Sequence, residues 1–233
     1  MLAQTNLQLY RQLLAAGWSD ESLVRARAAY DLARGLFGDA YRPSHKPFVC
    51  HLVGAASAAC HWEAAEPIVL ASLVHSAYVL GDFGDGERGT TPRRRRFVAE
   101  AIGAEAEELV DRYKRETYRD DPAVRLVRLA DRLDELSDAG PLVAGGKEVG
   151  DMRADQLSRQ ACLAEADELV GPRAVTMFRD AFASLDSTKL PAGLVTTDRA
   201  FHRVESGRLA ISRGPVGRRW TRAKDSIARR WAA

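Results

Sequence analysis

Apolar residues recur at helical spacing through most of this chain and rarely alternate as a strand requires. Leu7, Tyr10, Leu13 and Leu14 predict a first helix that Gly17 ends. Ser19 opens S-D-E-S, an N-cap whose following acidic residues suit the helix dipole. Leu23, Val24, Ala28, Tyr30, Leu32 and Phe37 carry that second helix to Gly38. Pro43 and Pro47 break the chain into a short loop before a helix from about Pro47 to Cys60. Its Gly54, Ala55, Ala56, Ala58 and Ala59 allow close packing, so it is expected at the centre. The next helix, Pro67 to Tyr78, is apolar on nearly all sides, as a buried helix should be.

A polar, glycine-rich loop, GDFGDGERGT, follows from Gly81. Thr91-Pro92 then caps a helix with Arg93 to Arg96 in its first turn, ending at Gly103. Glu105 to Tyr113 predicts another helix. Val124, Val127, Leu129, Leu133 and Leu136 predict one more, introduced by Pro122. Gly140 to Gly150 reads as a linker, with amphipathic helices expected at 151–170 and 172–185. The pattern is lost from 187 to 217, apart from an extended piece expected near Leu209 to Ser212, and the end is basic and aromatic. The expectation is an all-α protein: a helical domain over 1–140, a linker and added helices packing on it over 141–186, and an irregular segment with a basic amphipathic tail over 187–233.

Composition changes this picture little. Lys and Arg number 34 against 32 Asp and Glu, so charge alone argues for no nucleic-acid partner. Three cysteines without CxxC spacing argue against disulfide or zinc-thiolate sites. With no apolar signal core and no apolar run of spanning length, a soluble cytoplasmic protein is expected.

The candidate chemistry lies between Arg42 and Gly81 and near Asp131. His51 and His75 occupy two apolar helical patterns, and Asp131 interrupts a third. A buried carboxylate is costly unless paired, so the three residues are candidates to converge on one divalent ion. Asp131 can equally be a structural partner of Arg42 or Arg128.

The order R-x-S-x-x-P-F-x-x-H, L-V-H, L-A-D-R-L resembles the hydrolase domain of the RelA/SpoT family, within the HD superfamily. Ala29-Tyr30-x-x-Ala33 and Ile102-Gly103-x-Glu105-x-x-x-Leu109-Val110 add to the likeness, which covers roughly Ala26 to Leu136. The resemblance implies a helical bundle holding a divalent metal ion (Mn, Fe, Mg or Zn) through His51, His75 and Asp131. It also implies phosphohydrolysis of a small phosphorylated or nucleotide-like substrate. Arg42, His45 and Ser76 are then the candidate substrate-binding residues.

The chain departs from that pattern where the family has a His-Asp pair, since Ser76 follows His75. Val79 and Leu80 replace a Glu-Asp pair, and Glu135 stands where an Asn is usual. Asp82 and Asp85 in the glycine-rich loop are the candidate catalytic carboxylates that compensate. The segments H-L-V-G, H-S-A-Y and G-D-F-G-D-G resemble a group of bacterial HD-like proteins with His-Ser or His-Ala at this place. An inactive module binding an anionic ligand or a protein partner is the alternative. The Arg93 to Arg96 run reads as a solvated face, or as a site for an anionic partner because four cations oppose the dipole. The basic residues within 218–231 open a weaker route to nucleic acid or an anionic membrane.

Overall fold

The computed structural model describes residues 1–87, 89–114, 120–144, 156–195 and 202–203. The chain divides into two compact units, Met1–His202 and Arg203–Ala233, and in the second only Arg203 is described. The expected extended piece at 209–212 and the basic tail lie outside the described residues.

The first unit is all-α, as its periodicity predicts. In chain order it contains α1 (Asn6–Ala15), α2 (Asp20–Phe37), α3 (Phe48–His61), α4 (Glu66–Val74), α5 (Ala77–Leu80), α6 (Pro92–Ile102), α7 (Ala104–Lys114), α8 (Pro122–Ser137), α9 (Gly140–Ala144), α10 (Gln156–Leu169) and α11 (Pro172–Ser187). Thr5, Ser19, Thr91 and Asp121 each accept hydrogen bonds from first-turn amides, which fixes four helix starts. No helix among the described residues is long and apolar enough to cross a membrane.

The centre is α3, packed most extensively on α8 and α4, while α4 also touches α2, α7 and α8. The small residues of α3 make this close approach possible. Its buried face includes Gly54, Ala55, Ala56, Ala58 and Ala59. Gly54 has a specific reason to be glycine: a Cβ there would lie 1.7 Å from Asp134 Oδ1 on α8. Helices α10 and α11 pack on each other and on α8.

Two helices show which residues face the core, and two expected element ends are corrected. Helix α1 buries Leu9 and Leu13, while Leu7 and Leu14 are exposed, because Leu9 and Leu13 lie one turn apart on the core side. In α2 the small Ala26, Ala29 and Ala33 face inward and Val24 faces out. The helix expected to run to Tyr78 stops at Val74, and a short turn at His75 and Ser76 precedes α5. The linker expected from Gly140 begins with α9, and residues 145–150 are outside the described set.

Candidate metal centre

The core packing brings the two histidines and the aspartate together. His51 comes from α3, His75 from the end of α4, and Asp131 from α8. One ligand atom from each lies within 4.8 Å of the others. His51 and His75 are buried, and Asp131 is partly exposed. The group can hold a metal ion. His51 Nε2 lies 2.9 Å and His75 Nε2 3.7 Å from the same oxygen, Asp131 Oδ1.

The far sides of these ligands are also anchored. His51 Nδ1 is 2.8 Å from Asp134 Oδ2, and a carboxylate can only accept, so the proton belongs on Nδ1. His75 Nδ1 donates to the Ser72 carbonyl at 2.9 Å. Tyr113 donates its hydroxyl to Asp131 Oδ2 at 2.8 Å, leaving Oδ1 toward the imidazoles. Such outer partners fix the tautomer and orientation of metal-binding histidines.

Asp134, which does not stand out in the sequence, is completely buried and joins three other side chains. It accepts from Lys46 Nζ at 2.8 and 2.9 Å, from Gln4 Nε2 at 3.0 Å and from His51. Burial favours its neutral form, but the His51 and Lys46 contacts outweigh that and hold its pKa below the ordinary value. The readable signal was its place three residues after Asp131 in an apolar helix, which puts both carboxylates on adjacent faces.

The electrostatics divide the two imidazoles. Burial dominates at His75 and pushes its pKa down to about 4, so Nε2 keeps its lone pair at neutral pH. At His51 burial works the same way, but hydrogen bonds to Asp131 and Asp134 override it and raise the pKa. Burial pushes Asp131 upward, and His75, His51 and Arg42 more than reverse this, leaving it ionised.

Arg42 closes the group. The loop that carries it is tied by Arg42 N donating to the Lys46 carbonyl and His45 N to the Arg42 carbonyl. Its Nη1 reaches His51 Nε2 at 2.8 Å and its Nη2 reaches Glu135 Oε1 at 2.6 Å. His51 Nε2 therefore faces a donor, Arg42, and an acceptor, Asp131, at nearly equal distance, and one nitrogen satisfies only one of them. A cation shared by both imidazoles and Asp131 satisfies the set, so these residues fit the implied metal.

The other candidates are placed as follows. Ser76 is buried in the turn directly after His75. His45 is exposed in the Arg42 loop with a left-handed backbone, φ 63°. Asp82 and Asp85 are not brought into the His51, His75 and Asp131 group. Asp82 accepts from Gly84 N in its own turn, and Asp85 binds the buried Arg94 guanidinium. Glu135, expected to stand in for an Asn, is a partner of Arg42. Arg128 lies over the Tyr113 ring at 4.5 Å and donates to the Tyr113 carbonyl.

The arginine run is corrected too. Arg94 is buried and also donates to the carbonyls of Gly89 and Glu87, pinning the glycine-rich loop. Arg95 pairs with Glu107 and Glu108. The anions that answer at least these two cations come from the chain itself.

Residues 37–115 match a family described as a domain of unknown function (DUF6817). That stretch takes in Arg42, His51 and His75 but neither Asp131 nor Asp134. No curated protein matches the chain.

Proposed function

We propose that the protein is an HD-like, metal-dependent phosphohydrolase acting on a small phosphorylated or nucleotide-like substrate. One observation carries the reading. Three ligand atoms from α3, the turn after α4 and α8 converge, and both imidazoles are anchored through Nδ1 so that Nε2 faces the shared point.

In this reading His51, His75 and Asp131 hold a divalent ion. The ion supplies charge neutralisation at a phosphoryl group and a nucleophile at neutral pH. The chain's own residues do the rest. Asp134 and the Ser72 carbonyl hold the imidazoles in register, and Tyr113 holds Asp131. Arg42, with its planar pair of donors, is suited to a phosphate oxyanion at the mouth. Ser76 contributes a hydroxyl where a second carboxylate would add charge and a fourth ligand, which makes the three-ligand set electrostatically poorer than one completed by a His-Asp pair. The three free cysteines suit a reducing compartment, and a cytoplasmic location belongs to the proposal.

The same Ser76, together with Arg42 resting on His51, supports a second reading: a non-catalytic pocket that binds an anionic ligand. The test is phosphate release from a panel of nucleotides and sugar phosphates, with Mn²⁺ and with chelator. Turnover that chelator abolishes and His75→Ala removes supports the hydrolase. Ligand-induced thermal stabilisation without turnover, indifferent to chelator, supports the pocket.

A further inference from the structure

Arg42 occupies a position that a metal ion would contest. Its Nη1 lies 2.8 Å from His51 Nε2 and 3.7 Å from Asp131 Oδ1, the candidate ligand groups from two of the three helices. Its Nη2 donates to Glu135 Oε1, one helical turn beyond Asp131 on α8. One guanidinium thus spans the ligand set and a carboxylate just outside it. An imidazole nitrogen has a single lone pair, and while it accepts from Arg42 it cannot coordinate an ion. Two cations in so small a space also repel.

We propose that Arg42 is the resident counter-cation of the His51, His75 and Asp131 site, and that guanidinium and divalent ion exclude each other at His51 Nε2. This rests on the metal-site reading above. Ion entry breaks the Arg42 contact with His51, while Arg42 keeps its Glu135 partner and its freed Nη1 becomes available to an anionic ligand. Without an ion, Arg42 supplies the positive charge that the Asp131 carboxylate needs, which is how the site stays folded when empty. The arrangement sets a threshold: only ions bound tightly enough to displace an arginine load the site. Glu135 gains a role, because it keeps a partner on the cation once His51 is lost to it.

The experiment is Mn²⁺ titration of the full chain by calorimetry, comparing the parent protein with Arg42→Met and Arg42→Gln. Folding of each is checked by circular dichroism, and either neutral variant suffices if the other does not fold. The expected result is tighter Mn²⁺ binding by about tenfold in the variants, equivalent to about 1.4 kcal/mol. Equal or weaker binding by a folded variant overturns the exclusion and leaves the metal site standing. No Mn²⁺ binding by the parent or by either variant overturns the metal reading and this inference together.

Discussion

Asp134 Oδ2 sits 2.8 Å from His51 Nδ1, and that carboxylate is completely buried on α8, the helix that packs on α3. The contact joins the fold to the site, because the same aspartate holds the Lys46 ammonium and orients a candidate metal ligand. Asp134→Ala leaves the mostly buried Lys46 with Asp138 as its remaining ion-pair partner among the described residues and leaves His51 Nδ1 without its acceptor. The expected cost is about 3–5 kcal/mol in urea unfolding. Asp134→Asn, if folded, is expected to weaken metal affinity by about 10–100-fold. An unchanged unfolding midpoint for Asp134→Ala would remove the structural role assigned here.

Gly54 faces that carboxylate with no room for a side chain. A Cβ at this position falls 1.7 Å from Asp134 Oδ1 and 3.0 Å from Gln4 Nε2. Gly54→Ala normally raises helix propensity, by about 1 kcal/mol. Here overpacking is expected to win, with a net loss of about 1–3 kcal/mol. Thermal denaturation of Gly54→Ala decides the sign, and a stabilised variant would show that α3 and α8 are less tightly apposed.

The histidine pair gives opposite pH dependences. His75 is held near about 4 against an ordinary 6.5, so the unfolded chain binds its proton more readily. Its contribution to stability is complete above 6.5 and is lost progressively as pH falls toward about 4. His51 is raised, so its contribution is present at acid pH and is lost as pH rises through the folded value. Imidazole ¹⁵N spectra of the ion-free protein at pH 6 are expected to show His75 neutral with its proton on Nδ1. A His75 that titrates at its ordinary value would contradict the burial-driven shift.

Much of the architecture is legible in the chain. The small-residue run marked α3 as central, and His51, His75 and Asp131 each stood out as polar residues in apolar helical patterns. What escaped depends on contacts distant in sequence. Asp134 looked like one more charge in L-A-D-R-L-D-E, because nothing local says that Lys46 and Gln4 arrive from elsewhere. The partners of Arg94 and Arg95 were hidden for the same reason, since a cation run looks solvated until Asp85, Glu107 and Glu108 are folded against it. The stop of α4 at Val74 escaped because its apolar periodicity continues unbroken into α5. In α1, Leu7, Tyr10, Leu13 and Leu14 mark the helix, but tertiary packing buries Leu13 together with Leu9.

Asp82 and Asp85 offer a clean separation of loop architecture from metal chemistry. Asp85 is held down to about 2 mainly by its hydrogen bonds to Arg94, so it is an anchor of the loop. Asp85→Ala is expected to speed hydrogen exchange across residues 82–91 while leaving Mn²⁺ affinity unchanged. Asp82→Ala is expected to leave both nearly unchanged. Loss of Mn²⁺ binding in either variant would instead place that carboxylate at the ion.

The central claim is that His51, His75 and Asp131 form one divalent-ion site. Elemental analysis of the full chain, purified without chelator and then reconstituted, tests it most directly. The predicted result is about one divalent ion per chain, lost in His51→Ala, His75→Ala and Asp131→Ala alike. Less than about a tenth of an equivalent in the parent protein, with no gain on reconstitution, would contradict it.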